Sequence, residues 1–132
     1  MKLIETANLY SALAKIKMSK FNIKFSELRK IAQFIAALKT DFELYAEQKD
    51  NLLRKYGVES ETNPGNYRIK DVTGFGKELF TLDNEEIKFI LPEIEFPINI
   101  KIPDEAEFLN LEDYEALQPY FNFIEEEKIY NE

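Results

Sequence analysis

Between residues 28 and 57 the apolar positions fall at Leu28, Ile31, Ile35, Leu38, Phe42, Tyr45, Leu52 and Tyr56, in steps of three and four broken only by Lys49. That spacing predicts one long amphipathic helix of about 30 residues. Ser26 stands where an N-cap is wanted and Glu27 falls in the first turn. Arg54 and Lys55 close the last turn, and Gly57 follows at the position that favours a left-handed backbone. Upstream, Leu3, Ala7, Tyr10 and Ala14, flanked by Leu9, Leu13 and Ile16, predict a first helix over Lys2 to Lys17. A short link joins the two, so residues 1–57 are expected to form an antiparallel helical hairpin. At about 1.5 Å of rise per residue the first helix covers only about half of the second. The stripe from Phe42 to Tyr56 therefore needs another partner.

The rest of the chain changes period. Residues 58–66, "VESETNPGN", are a loop by composition. Residues 67–103 read as a small β region. "YRIKD" is a short strand, and "TGFGKELFTLDNEE" is a turn followed either by a short helix from Lys77 to Leu82 or by a second strand. In "EIEFPINIKI", Ile94, Phe96, Ile98, Ile100 and Ile102 alternate with polar residues or proline, which predicts a strand with one buried face. Pro97 removes a backbone donor and places that strand at an edge or a bulge. Ile87, Phe89 and Leu91 offer a second alternating run, so the sheet is expected to be antiparallel. Asn110 is a candidate N-cap with Glu112 and Asp113 behind it, and Tyr114, Leu117, Phe121 and Ile124 carry helical spacing through Pro119. A C-terminal helix over 110–129 is expected, as one kinked helix or two short ones.

These elements define an α+β fold: a helical hairpin with one long arm, a small antiparallel sheet, and a C-terminal helix packed back on the hairpin. The C-terminal helix or the sheet is expected to cover the stripe from Phe42 to Tyr56. Whatever stays uncovered among Phe42, Tyr45, Leu52 and Tyr56 becomes the candidate surface for another protein.

A length of 132 residues suits one domain, and 45% apolar residues with 11 Phe and 7 Tyr suit a packed core. There is no cysteine, hence no disulfide framework and no thiolate metal site. The opening "MKLIETANLY" lacks the apolar run of a signal peptide, and no run approaches the ~20 residues that span a bilayer. A cytoplasmic protein without membrane contact is expected.

Candidate chemistry is sparse. The absence of histidine removes the commonest general base and metal ligand. No nucleophile elbow, P-loop or dinucleotide fingerprint occurs, and "GFG" at Gly74 to Gly76 reads as a turn. No catalytic residue, cofactor or metal is expected, and the protein reads as a non-enzyme. The acids at Glu125 to Glu127 and in "DEAE" read as a solvated face rather than a cation site.

Charge is unevenly placed along a chain of net charge -8. Residues 1–40 hold eight Lys or Arg against Glu5 and Glu27, whereas residues 83–132 hold fifteen acids against Lys88, Lys101 and Lys128. Lys15, Lys17, Lys20 and Lys24, interleaved with Phe21 and Phe25, form a candidate phosphate contact. Against it stand the net acidity, which repels a polyanion, and the use of phenylalanine to seal a hairpin end. Direct nucleic-acid binding is not expected. The acids Glu112, Glu115, Glu125, Glu126 and Glu127 form an alternative surface, one that imitates a polyanion.

The order of segments, with "NIKFSELRKIAQFIAALKTDFELYAEQKDNLLRKYG", then "NYRIKD", "FGKEL" and a closing "DYEALQPYFNFIEEE", resembles a family of small uncharacterised proteins encoded in bacteriophages and prophages of Gram-positive bacteria. Its most specific pieces here are Lys55 to Gly57, "IKD" and "FGKEL". The stretch from Glu93 to Ile102 departs from the pattern in being longer and more punctuated by proline. The resemblance implies an origin in a host cytoplasm or a virion and assigns no catalytic residue. Function is accordingly expected to be protein binding, by a virion assembly factor or a binder of a host protein, with self-association a further outcome. The alternative is acidic inhibition of a host defence enzyme that acts on nucleic acid.

Overall fold

The computed structural model describes residues 1–18, 23–102 and 109–125. In chain order they form α1 (Leu3–Met18), α2 (Phe25–Tyr56), β1 (Gly57–Glu59), β2 (Tyr67–Ile69), α3 (Val72–Asp83), β3 (Ile98–Ile102), α4 (Leu111–Leu117) and β4 (Phe121–Glu125). The architecture is α+β, as the periodicity predicts. The chain divides into two compact units, neither of them continuous: Met1–Ala7 with Lys39–Phe89, and Asn8–Leu38 with Ile90–Glu132. The start of α1 thus sits with the second half of α2, and the rest of α1 with the first half of α2, so the two helices run antiparallel. No helix among the described residues is long and apolar enough to cross a membrane.

In the first unit Leu3, Ala7 and Tyr45 form the buried cluster, and Ile4, Phe42, Leu82 and Ile87 pack against it. The second half of the stripe is therefore covered by the first turn of α1, by α3 and by the segment at Ile87. Among the described residues, no member of this cluster comes from α4 or a strand. The run Ile87, Phe89 and Leu91 is not a strand. It offers a single bridge, Lys2 to Glu86, flanked by Leu3 N–H donating to Glu85 O and Ile87 N–H donating to Met1 O, both at 2.9 Å.

The long helix runs straight into β1, which pairs antiparallel with β2 in the register Gly57↔Ile69, Val58↔Arg68 and Glu59↔Tyr67. The expected loop therefore shrinks to residues 60–66. Gly57 is not left-handed, since the positive φ belongs to Gly65 at 93°. Close approach explains Gly57 instead: a Cβ there would lie 2.6 Å from Leu53 O and 3.0 Å from Tyr67 Cβ. α3 opens at Val72 rather than Lys77 because Asp71 caps it, its Oδ1 accepting from Gly74 N–H at 3.0 Å. Lys55 Nζ donates to Glu78 Oε1 at 2.9 Å and joins the end of α2 to α3. That hydrogen bond holds the Glu78 carboxyl below, and the Lys55 ammonium above, their ordinary values.

The second unit buries Leu9, Leu13 and Ile16 of α1, Ile31, Phe34 and Leu38 of α2, Ile98 and Ile100 of β3, Leu117 of α4 and Phe121 of β4. Phe34 is a core residue that the eight-position stripe omits, while Leu28 of that stripe is exposed. The Phe34 ring meets Phe96 and Tyr120 edge-on, with centroids 5.4 and 5.0 Å away. α2 begins at Phe25, with Leu28 N–H donating to Lys24 O at 2.9 Å, so Ser26 lies inside the first turn and is not the cap.

The alternation of β3 is as expected: Ile98 and Ile100 are buried, Asn99 and Lys101 are exposed, and the strand starts just after a cis Phe96–Pro97 peptide. Its partner is unexpected. β3 pairs in parallel with β4, from Ile98↔Phe121 to Ile102↔Glu125, and α4 lies within the crossover that parallel strands require. Among the described residues the stretch 110–129 is helical only over Leu111–Leu117, where Asn110 Oδ1 caps by accepting from Asp113 N–H at 2.8 Å. This short helix packs back on the hairpin, burying Leu117 and pairing Asp113 with Lys15 of α1. The helical spacing through Phe121 and Ile124 misleads because Pro119 has no N–H to continue the helix, and Ile98 N–H then captures Tyr120 O at 2.9 Å and opens the parallel ladder. Residues 126–129 lie outside the described residues.

Candidate functional site

Among the expected site residues, the four apolar ones belong to the first unit. Phe42 and Tyr45 are packed in its core. The Tyr56 ring lies edge-on to Phe75 at 6.4 Å, and Leu52 lines a shallow depression with Gln48, Glu78, Thr81, Leu82 and Glu85. Phe42, Leu52 and Tyr56 are half-buried. Tyr45 is only 7% exposed, and its hydroxyl donates to Asp83 Oδ1 at 2.7 Å. Burial, then Asp83, push the Tyr45 phenol well above its ordinary value.

The second unit presents the features that point outward. In a strand, the N–H and C=O of one residue face the same side, and alternate residues face opposite sides. Because Ile98 N–H bonds Tyr120 O, the backbone groups of Asn99 and Lys101 point away from β4, and those of Phe121, Phe123 and Glu125 point away from β3. The two outer edges are treated differently. On β3, the Glu27 carboxylate reaches down from α2, and its Oε2 accepts from Asn99 N–H at 3.0 Å. A side-chain charge placed on an edge blocks the addition of another strand. On β4 no third strand meets the outer edge among the described residues.

Apolar groups flank that open edge. Phe123 stacks on Phe121 at 5.8 Å and lies tilted against Tyr114 at 5.6 Å. Tyr114 and Leu111 are exposed on α4, and Ile124 is exposed on the opposite face of β4. No family model, curated protein or solved structure matches the chain. The site therefore rests on its own geometry.

A pocket of about 400 Å³ opens beside the protected edge, lined by Ile23, Lys24, Glu27, Asn99, Lys101 and Ile124. Asn122 Nδ2 donates to Asn99 Oδ1 at 3.1 Å on the same face of the sheet. Of the basic residues expected to cluster, Lys15 and Lys24 have described side chains. Lys15 is paired with Asp113, the side chain of Lys17 and the whole of Lys20 lie outside the described residues, and Lys24 lines this pocket with Lys101. Lys101 was legible only as the wet face of an alternating strand. Phe25, expected to seal the hairpin end, is 79% exposed. Of the acidic surface, Glu112 and Glu115 are exposed on α4, while Glu126, Glu127 and the side chain of Glu125 lie outside the described residues.

Proposed function

We propose that this protein is a non-catalytic protein-binding factor that takes up an extended segment of a partner protein along the outer edge of β4. The observation that carries this reading is the asymmetry of the β3–β4 sheet: one edge is closed by Glu27, while the other meets no third strand among the described residues and is flanked by aromatic side chains. Main-chain hydrogen bonds along such an edge supply affinity, and side-chain pockets on alternate residues supply selectivity. A two-stranded sheet is marginal by itself, and an added strand extends it. The resemblance to prophage-encoded proteins makes the partner a phage structural protein or a protein of the host.

The test is capture from a Gram-positive host lysate, with and without phage infection, at low salt and at ~0.5 M salt, where exposed charges are screened within about 5 Å. The wild-type chain is compared with Glu125→Pro, which removes an outward-facing N–H and leaves the β3-facing ladder intact. A partner held in salt and lost in the variant supports strand addition. A partner lost in salt and held by the variant overturns it in favour of polyanion mimicry through acids such as Glu112 and Glu115.

A further inference from the structure

The pocket beside the closed edge of β3 has a charge arrangement that the docking reading does not use. Glu27, its one carboxylate among the described residues, is already engaged on both oxygens: Oε1 accepts from Lys30 Nζ at 3.2 Å and Oε2 from Asn99 N–H at 3.0 Å. Lys30 also lies 4.0 Å from the exposed Glu95. Lys24 and Lys101, which line the same pocket, have no carboxylate partner among the described residues. In a chain with 25 acids and 17 bases, two ammonium groups that share a pocket and lack a counter-ion among the described residues are an unmet demand for negative charge.

We propose that this pocket binds a phosphate group, as inorganic phosphate or as the phosphate of a small organic ester. Lysine presents a point charge with rotatable donors, which suits a tetrahedral dianion approached from two sides, whereas a planar carboxylate is matched by the arginine fork that this pocket lacks. A dianion neutralises both ammonium groups, and a single carboxylate leaves one of them uncompensated. Asn99 retains amide hydrogen-bonding capacity beyond its bond with Asn122. Ile23 and Ile124 supply an apolar wall for the organic part of an ester. A volume of about 400 Å³ lies within the ~300–1,000 Å³ of small-molecule sites.

The experiment is an NMR titration of the full 132-residue chain with sodium phosphate, glycerol 3-phosphate and sodium acetate at matched low ionic strength. Phosphate and its ester are expected to shift the amides of Lys24, Asn99, Lys101 and Ile124 saturably, with acetate at least about tenfold weaker. Lys24→Gln and Lys101→Gln should each weaken binding about tenfold, the scale of one charge-assisted hydrogen bond. Both side chains are exposed, so the variants keep their fold, which circular dichroism checks. Lys77→Gln, at an exposed position on α3, should leave binding unchanged. Tighter binding of the ester than of inorganic phosphate supports the proposal and assigns the site to esters, and equal affinity supports it with phosphate alone as the ligand. Absence of saturation, equal binding of acetate, or equal weakening by Lys77→Gln overturns it.

Discussion

Lys15 Nζ donates to Asp113 Oδ2 across 98 positions of sequence, tying α1 to α4. The two partners are unequal. Asp113 is 8% exposed, whereas the Lys15 side chain keeps 45% of its accessible surface. Removing the lysine strands a carboxylate away from water, and removing the carboxylate lets the lysine turn outward. Lys15→Met should therefore destabilise by about 2–3 kcal/mol and Asp113→Asn by about 1 kcal/mol. Urea denaturation of both variants checks the order, and equal losses would contradict this account of the pair.

Two glycines a single residue apart in α3 should respond with opposite signs. A Cβ on Gly74 would collide with the Asp71 carboxylate that caps the helix and lie 2.9 Å from Tyr56 Cε1, whereas a Cβ on Gly76 meets nothing within 4 Å. Gly74→Ala should cost about 1–2 kcal/mol through the lost cap. Gly76→Ala should stabilise by about 0.5–1 kcal/mol, because a helical glycine costs backbone entropy and alanine fits that space. Thermal unfolding of the two single variants decides the matter.

Tyr45 gives the first unit an alkaline limit. Its folded-state value is raised above the ordinary 10.0 by burial and by Asp83, so the unfolded chain releases this proton first as pH rises. Stability from this group is complete below pH ~10 and declines above it, by up to about 1.4 kcal/mol per pH unit, until the folded phenol also ionises. Tyr45→Phe should lose about 1 kcal/mol at neutral pH from the missing hydrogen bond and flatten the decline. Unfolding curves between pH 9 and 11 measure both effects, and an unchanged slope in the variant would remove Tyr45 as the cause.

Glu27 guards one edge of the parallel pair through Asn99 N–H. Glu27→Ala should cost about 1 kcal/mol and open the outer edge of β3, so sedimentation should show concentration-dependent association that the parent chain lacks at that edge. A variant that stays as monodisperse as the parent would show that the carboxylate does not protect the edge.

The long helix and the alternation of β3 are legible in the sequence because each follows one period over many residues. Ile31, Leu38 and Tyr45 fall on one side of α2, and Ile98 and Ile100 fall on one side of β3. What the sequence conceals is pairing at a distance. Phe121 and Ile124 continue a helical spacing from Tyr114 and Leu117, yet the chain there is a strand, because its partner is Ile98 to Ile102, out of reach of any local window. Two glycines weaken the helical pattern of α3, and only its cap at Asp71 shows where it begins. The candidate pocket was half legible. Lys24 stands out within a basic run, but Lys101 joins it through the placement of β3 beside the start of α2, which no spacing rule contains.

The division of both α1 and α2 between two units sets a timetable for synthesis. The apolar residues of α1 beyond Ala7 and of α2 up to Leu38 belong with β3, α4 and β4, which leave the ribosome only after the whole of the other unit. At ~5–20 residues per second, that face of the hairpin is made several seconds before anything covers it. The nascent chain therefore passes through an interval in which Leu13, Ile16, Ile31 and Phe34 are the surface that chaperones meet.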